Sequence, residues 1–308
     1  MGGSTVAFIN LVNLLNKNGH DAILYAPKCG QSPAWHLGRC KSEVIDACFK
    51  KHNLGTPRQT ECILTDPGLI NKIVEEGDIL ITHLFPLDPN SPAGPFEDLD
   101  TSKLKKVIYS CHETDLYPVN LLNLSKFDLI HFVSESQRDW HPPQPILSSI
   151  IPNVISPIEK QPKTVDIEKV GGVIGSVTPQ KRTHVSIQAA LDDGCDLVLV
   201  FGAKETFPDY WKEEVSPLVQ DPKVLYLGLL DDKSLMYSDL DVVYHSGRNE
   251  TFNYIEKECA MLDIPYIHTD IRSSTEENLG QFGKVPTIVS ENEILKMWEK
   301  VFDEKRDS

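Results

Sequence analysis

The chain has 308 residues, 40% of them hydrophobic, which is enough for two ordinary domains with separate cores. Its formal net charge is −15, divided as −4 over residues 1–155 (13 Lys and Arg against 17 Asp and Glu) and −11 over residues 156–308 (17 against 28). Such a surface disfavours nucleic acid and anionic lipid as partners, so a phosphate ligand would need a local cluster of donors.

The sequence also predicts where the protein resides. No run approaches the roughly 18 apolar residues of a membrane span, and the N-terminus carries no basic segment followed by an apolar one. We therefore expect a cytoplasmic protein without a transmembrane segment. The seven cysteines are scattered and include no CxxC pair, which indicates reduced thiols rather than disulfides or a zinc site.

Strand-like and helix-like segments alternate along the first half. The spacing of apolar residues predicts helices over 6–16 and 69–76, and strands over 22–25, 79–81, 107–109 and 129–133. Prolines then interrupt the pattern between residues 151 and 163, which we interpret as an interdomain linker. The predicted domains are residues 1–153 and 154–308.

The same alternation resumes after the linker. We predict strands over 172–175, 197–201, 224–227 and 241–244, and helices over 184–191, 208–219, 232–238, 253–262 and 293–302. The last helix either closes the second domain or packs back on the first. This pattern is typical of two Rossmann-like α/β domains with doubly wound parallel sheets, whose ligands lie beyond the carboxyl ends of the strands. The default site is a cleft between the two domains.

Two acidic residues follow the predicted strand 241–244. A polar turn places Glu250 at the start of helix 253–262, and helical periodicity places Glu258 on the apolar face of that helix. Glu258 either borders the apolar stripe in solvent, or is buried and needs a partner such as a ligand hydroxyl.

Three segments could bind phosphate. Gly2 and Gly3 would let backbone amides approach an anion, although a cloning remnant explains them equally well. The loop 175–182 ends in the cations Lys181 and Arg182, which could equally be solvated, and Arg248 lies just before the third segment, the start of helix 253–262. The acidic pairs Asp231-Asp232 and Asp239-Asp241 are interpreted as a helix cap and a strand border, not as a metal site.

Together these segments resemble the retaining, nucleotide-sugar-dependent glycosyltransferases of family four, which have the GT-B fold. The resemblance covers roughly residues 2–270, and its most specific part is the pair Glu250 and Glu258 with Phe252 between them. The matching segments, in chain order, are 2–3, 18–21, 78–83, 109–112, 151–153, 175–181, 227–228, 246–260 and 264–267.

The resemblance implies a role for each matching residue. Glu250 and His112 would contact the donor sugar, the first at its hydroxyls and the second near the reacting centre. Glu258 would bind the ribose. Lys181 would hold the diphosphate, Gly2 or Gly3 would approach it from the other domain, and the amides around Thr251, Phe252 and Asn253 would complete the phosphate cradle. We add Gly175, Ser176, Arg182 and Arg248 to the candidate donor-binding residues. The family requires neither a metal nor another cofactor, since the nucleotide sugar is itself a substrate.

Three departures from the family pattern bear on activity. Ser176 stands where the family usually has an arginine that neutralises the diphosphate, and Asn253 stands where glycine is common. The family's first strand, which leads into the glycine pair, has no counterpart ahead of Gly2. We expect a hexosyltransferase acting on an unknown glycan, lipid or small-molecule acceptor. The alternatives are a catalytically impaired GT-B binding protein, or another GT-B activity such as an epimerase.

Overall fold

The structure is a computed structural model, and it describes residues 3–23, 25–27, 58–60, 75–82, 100–112, 127–141, 143, 145–230, 232–248, 250–269 and 288–304. The chain divides into two compact units. The first comprises residues 1–154 and 289–308, and the second comprises residues 155–288. The last helix therefore belongs to the first unit.

The described elements of the first unit alternate as the sequence predicts. In chain order they are α1 (Gly3–Lys17), β1 (Tyr25–Pro27), β2 (Arg58–Thr60), β3 (Ile79–Thr82), β4 (Lys106–Ser110), β5 (Leu129–Phe132), α2 (Glu135–Trp140), β6 (Leu147–Ile150) and α7 (Glu291–Asp303), with a 3-10 turn at Thr101–Lys103. Strands β3 to β6 form a parallel sheet in that order, and β1 pairs with β2 in parallel.

Helix α7 closes one face of the first sheet. Its apolar residues Ile294 and Trp298 are buried in one cluster with Leu11 of α1 and with Ile108 and Leu129 of the sheet. The helix begins in a capping box, in which the side chains of Ser290 and Glu293 each bond the other's backbone amide. At its other end the buried Lys106 ammonium donates to the Val301 carbonyl, as cations commonly do at the last turn of a helix.

The second unit is a Rossmann-like sheet with helices on both faces. In chain order its described elements are β7 (Val170–Ile174), α3 (Thr183–Asp192), β8 (Leu197–Phe201), α4 (Pro208–Tyr210), a π-helical turn (Trp211–Val215), a 3-10 turn (Leu218–Gln220), β9 (Val224–Gly228), α5 (Lys233–Ser238), β10 (Val242–His245), α6 (Tyr254–Met261) and β11 (Tyr266–His268). All the described strands are parallel, in the order β11-β10-β7-β8-β9.

Alternation along the strands divides the core of the second unit between the two faces. On β8, Val198 and Val200 lie in a cluster with residues of α3, whereas Leu199 and Phe201 lie in the opposite cluster with residues of α5 and α6. The predicted class, α/β with doubly wound parallel sheets, is therefore confirmed.

Two element predictions were wrong in detail. A strand was predicted over 22–25, but the strand is Tyr25–Pro27. The Asn16 side chain bonds both backbone polar groups of Ala22, so neither group is available to a neighbouring strand. The helix predicted over 208–219 is irregular: Pro217 would clash with the carbonyl of Glu213, and Ser216 instead donates to Trp211 in a π-type bond.

Most other predicted elements were confirmed, some elements were not predicted, and some predictions lie outside the described residues. Apart from the helix predicted over 69–76, the remaining predicted strands and helices are present within three residues of their expected bounds, and Asp232 caps α5 as expected. Strands β2, β6 and β11 and helix α2 were not predicted. The helix predicted from residue 69 lies outside the described residues as far as residue 74, as does Gly2. Among the helices described, none is long and apolar enough to cross a membrane.

Candidate functional site

The strand order of the second unit defines where a ligand would bind. Strand β7 lies between β8 and β10, so the chain runs outward in one direction from β7 through β9 and then returns to β10 on the other side. In open parallel sheets the crevice at such a reversal, beyond the carboxyl ends of the strands, is the usual ligand site. Here the loop 175–182 follows β7 and the loop 246–253 follows β10.

Lys181 and Glu250 meet at this reversal. The Lys181 ammonium lies 2.5 Å from the Glu250 carboxylate, and His245 at the end of β10 donates to the same carboxylate oxygen from 3.2 Å. The Glu250 side chain is only 11% exposed. Burial alone would raise the pKa of Glu250, but the Lys181 charge and the His245 hydrogen bond outweigh it and lower that pKa to about 2. Glu250 is therefore an ionised acceptor at neutral pH.

A glycine makes this arrangement possible. A side chain at Gly247 would overlap both the Glu250 carboxylate and the His245 ring. The two loops are also bonded directly, since the Arg248 amide donates to the Gln180 carbonyl from 3.1 Å and the Gln180 side chain donates back to the Arg248 carbonyl from 3.3 Å. The cation-bearing loop and the Glu250 loop are thus held together through backbone contacts.

Arg182 and Gly175 adopt backbone conformations that are uncommon for most residues. Arg182 has φ = 51° and ψ = 47°, in the left-handed region, at the cap of α3. Gly175, with φ = 137°, directly follows β7, and its carbonyl lies so close to Gly202 that a side chain at Gly202 would overlap it. Half-buried Ser176 follows in the same turn. The turn after β7 is therefore tight, which is typical of loops that approach a ligand through their backbone.

Glu258 is buried and paired within the protein. Only 3% of it is exposed; Lys233 forms an ion pair with one carboxylate oxygen, and the Tyr237 hydroxyl donates to the other from 2.8 Å. Burial and the Glu258 charge raise the pKa of Tyr237 well above its usual value, so this hydroxyl keeps its proton. The sequence left open whether Glu258 is solvated or buried, and the structure shows that it is buried. Each carboxylate oxygen of Glu258 can still accept a further hydrogen bond.

The start of α6 is organised by Asn253. Its side chain accepts from the Glu256 amide at 3.3 Å, as a helix cap does, and donates to the Tyr266 hydroxyl from 2.5 Å. Asn253 is buried, so its side chain points away from solvent. Thr251 and Phe252 are half-buried beside it, and the Lys257 ammonium lies 4.7 Å from the Phe252 ring centre.

His112 lies in the first unit, just after β4. Its Nε2 atom is 3.1 Å from the Ser110 hydroxyl, which is 2.8 Å from Nδ1 of His131. These three residues line a pocket together with Phe8, Asn153 and Trp298. A ring-to-ring distance of 5.5 Å separates His112 from Phe8.

The predicted site residues fall into the two units. The structure places Gly3 at the start of α1 and His112 beyond β4 in the first unit. All the others that it describes lie in the second unit, in the loops that follow β7 and β10 and, for Glu258, on α6. They are Gly175, Ser176, Lys181, Arg182, Arg248, Glu250, Thr251, Phe252, Asn253 and Glu258. Within that group it pairs Lys181 with Glu250, whereas Glu258 is paired with α5.

Sequence reasoning missed the residues that hold these groups in place. His245, Lys233 and Tyr237 contact the two glutamates. The sequence does contain a signal for His245, because this residue directly follows the apolar run that predicts the strand over 241–244. The spacing of four between Lys233 and Tyr237 puts both on one face of α5, but nothing local indicates that this face meets Glu258.

Comparison with solved structures supports the fold. Sucrose-phosphate synthase from Thermosynechococcus elongatus matches with a TM-score of 0.65 at 12% identity, over 97% of this chain and 84% of that one. HepE from Anabaena, solved in complex with UDP-glucose, matches with a TM-score of 0.59 at 13% identity, over 87% and 77%. TarM matches with a TM-score of 0.52 at 15% identity, over 76% and 49%, so the chain spans about half the length of TarM.

These likenesses show that the chain has the GT-B fold, as the sequence predicted. In sequence, the chain matches no protein-family model and no curated protein. At such low identities the likeness fixes the architecture alone.

Proposed function

We propose that this protein is a retaining glycosyltransferase of the family-four type, which transfers a hexose from a nucleoside diphosphate sugar to a hydroxyl acceptor. The observation that carries the proposal is the Lys181–Glu250 pair at the reversal of the second sheet. It joins a cation suited to a diphosphate and an ionised carboxylate suited to sugar hydroxyls in the position where a GT-B fold is expected to hold its donor.

Donor binding would exchange the partners of this pair. Lys181 turns from Glu250 to the diphosphate, and Glu250, with its low pKa, accepts hydrogen bonds from the sugar hydroxyls. His245 remains bonded to Glu250 and keeps the carboxylate in place. Glu258 accepts from the ribose hydroxyls while Tyr237 holds its other oxygen.

The chemistry fits these residues. The departing nucleoside diphosphate gains negative charge, which Lys181, Arg182 and the amides around Thr251 to Asn253 stabilise. The acceptor hydroxyl attacks the anomeric carbon on the face from which the phosphate oxygen leaves, so configuration is retained. That oxygen takes the proton of the hydroxyl, and the reaction proceeds without a metal or a dedicated base.

The neighbour HepE was solved with UDP-glucose, which makes UDP-glucose the first donor to test. The experiment measures binding of UDP-glucose, UDP, GDP and ADP by calorimetry, and release of free glucose and UDP from UDP-glucose, with and without EDTA. We expect one base class to bind, and donor hydrolysis to persist in EDTA. Anomeric NMR couplings of the transferred sugar, once an acceptor is found, test retention.

Two variants and a matched control define the site. Glu250→Gln removes the charge and should lower hydrolysis about 100-fold, while Glu258→Ala should weaken nucleotide binding about 10-fold. Glu213→Gln, at an exposed carboxylate of the same unit, should change neither.

Other outcomes would favour the alternative functions. A protein that binds a nucleotide and never releases sugar would favour an impaired binding protein, to which Ser176 lends support. Sugar isomers without transfer would favour an epimerase.

A further inference from the structure

Two contacts of Glu250 converge on one oxygen of its carboxylate. The Lys181 ammonium lies 2.5 Å from Oε1, and His245 Nε2 lies 3.2 Å from the same atom. The Lys181 side chain is 29% exposed, whereas the Glu250 side chain is largely buried. A ligand in solution can therefore reach the ammonium more readily than the carboxylate that the ammonium neutralises.

The Glu250 carboxylate is held in place from the other side. His245 is buried at the end of β10 and bonds Oε1, and the Gly247 backbone packs so closely that a Cβ there would overlap both side chains. Burial alone would raise the pKa of Glu250, and the Lys181 charge is the largest influence in the opposite direction. If a ligand draws Lys181 away, Glu250 remains as a largely buried negative charge without its ion pair, which costs free energy.

Glu258 differs from Glu250 in this respect. Lys233 pairs with Oε1 of Glu258, and the Tyr237 hydroxyl donates to Oε2 from 2.8 Å. A ribose hydroxyl can add to these contacts, because each carboxylate oxygen accepts more than one hydrogen bond. Binding at Glu258 thus adds a contact, whereas binding of an anion at Lys181 breaks one.

We propose that the Lys181–Glu250 pair is a specificity determinant, which makes the second unit prefer a complete nucleoside diphosphate sugar to the nucleoside diphosphate alone. A diphosphate that takes Lys181 leaves Glu250 uncompensated and brings further negative charge towards it. The hydroxyls of an attached sugar donate to Glu250 and replace the lost contact. The inference rests on the proposed function, because it assumes that Lys181 binds the diphosphate and Glu250 the sugar.

The same exchange acts on the product. After transfer the nucleoside diphosphate no longer carries hydroxyls for Glu250, so Lys181 is drawn back to the carboxylate and away from the phosphates. The protein should therefore release its nucleotide product readily, and added UDP should inhibit donor turnover only weakly.

Calorimetry with uridine, UDP and UDP-glucose tests the proposal, because each ligand adds one part to the one before. Native protein should bind UDP-glucose about 10-fold or more tightly than UDP, since the sugar supplies hydrogen bonds to a charged group. Glu250→Gln keeps the size of the side chain and releases Lys181 from its ion pair. This variant should bind UDP about 10-fold more tightly than the native protein does, bind uridine equally, and lose most of the preference for UDP-glucose.

The control and the contrary outcomes are distinct. Glu213→Gln removes an exposed carboxylate of the same unit and should leave all three affinities unchanged. Native protein that binds UDP as tightly as UDP-glucose would overturn the proposal without recourse to any variant, as would a folded Glu250→Gln protein that binds UDP no better than the native one. If UDP-glucose is nevertheless hydrolysed, the proposed function stands. If native protein binds neither nucleotide, and GDP, ADP and their sugars also fail to bind, the proposed function and this inference fall together.

Discussion

At the residue scale, the principal feature is that the two groups expected to bind the donor are bound to each other. Lys181 and Glu250 neutralise one another in a half of the chain whose formal charge is −11. A partly buried pair of this kind is costly to break by removing one partner, because the charge of Glu250, which is only 11% exposed, is left with less compensation. A phosphate that takes over Lys181 must therefore be accompanied by hydroxyls that take over Glu250.

We expect the low pKa of Glu250 to depend on Lys181. In Lys181→Met, burial is opposed only by His245, so the pKa of Glu250 should rise from about 2. A titration of the Glu250 carboxyl carbon by NMR measures this directly. Lys212→Met, which removes an exposed lysine of the same unit, should leave it unchanged.

The same pair makes stability depend on pH. The folded pKa of Glu250, about 2, lies below the ordinary value of 4.5, so the ionised group stabilises the fold by about 3 kcal/mol above that value, and this contribution is lost as pH falls from 4.5 towards 2. Urea unfolding of the native protein and of Glu250→Gln should therefore differ most at neutral pH. A difference that stays constant down to pH 2 would contradict this account.

Ser176 is the second residue with a consequence for binding. It follows Gly175 in the tight turn after β7, where the resemblance places an arginine. We expect Ser176→Arg to tighten UDP binding about 10-fold, since a charge-assisted bond to phosphate contributes about 1.5–3 kcal/mol. Uridine, which has no phosphate, should bind equally to both proteins in calorimetry. Gln220→Arg adds the same charge at an exposed site and should not tighten UDP binding.

At the element scale, elements with strong local patterns were predicted almost to the residue. Strand β8 is a continuous apolar run, and its bounds were predicted correctly. Strand β6 has two serines and two exposed or half-exposed apolar residues, so no apolar run marks it. Its identity as a strand depends on pairing with β5, which the sequence does not record.

The candidate site was predictable only in part for the same reason. The resemblance supplied Lys181 and Glu250, each from its own loop. That they touch depends on the adjacency of β7 and β10, and the contact of Lys233 with Glu258 depends on how α5 packs against α6. Such contacts arise from topology, not from local spacing.

Helix α7 provides a test of an element that the sequence did predict. Glu293→Ala removes half of the capping box and should cost about 1 kcal/mol, whereas Glu293→Gln retains an acceptor and should cost less. Amide hydrogen exchange in the first turn of α7 should become about fivefold faster in the Ala variant. Equal exchange in all three proteins would show that packing alone holds this turn.

At the scale of the whole molecule, each unit has its own cores. Among the described residues, both clusters of the second unit draw on residues between 158 and 267, within the contiguous segment 155–288. One cluster of the first unit needs residues from both ends of the chain, including Leu14 and Phe302. The two units therefore differ in whether one uninterrupted segment suffices to fold them.

We expect fragment 155–288 to fold alone and fragment 1–154 not to. The first should show a cooperative thermal transition by circular dichroism. The second should show one only when residues 289–308 are joined to it through a short Gly/Ser linker, because α7 supplies buried residues of its core. A cooperative transition in fragment 1–154 by itself would contradict the expectation.

The membership of α7 in the first unit sets an order of events during synthesis. The ribosome completes the second unit, residue 288, before it makes the helix that covers Ile108 and Leu129 in the first. At ordinary elongation rates the interval between Val154 and Asp303 lasts roughly 7–30 s. Of the two units, the one translated first is thus completed last, and the apolar face of its sheet stays uncovered on the nascent chain until α7 has been translated.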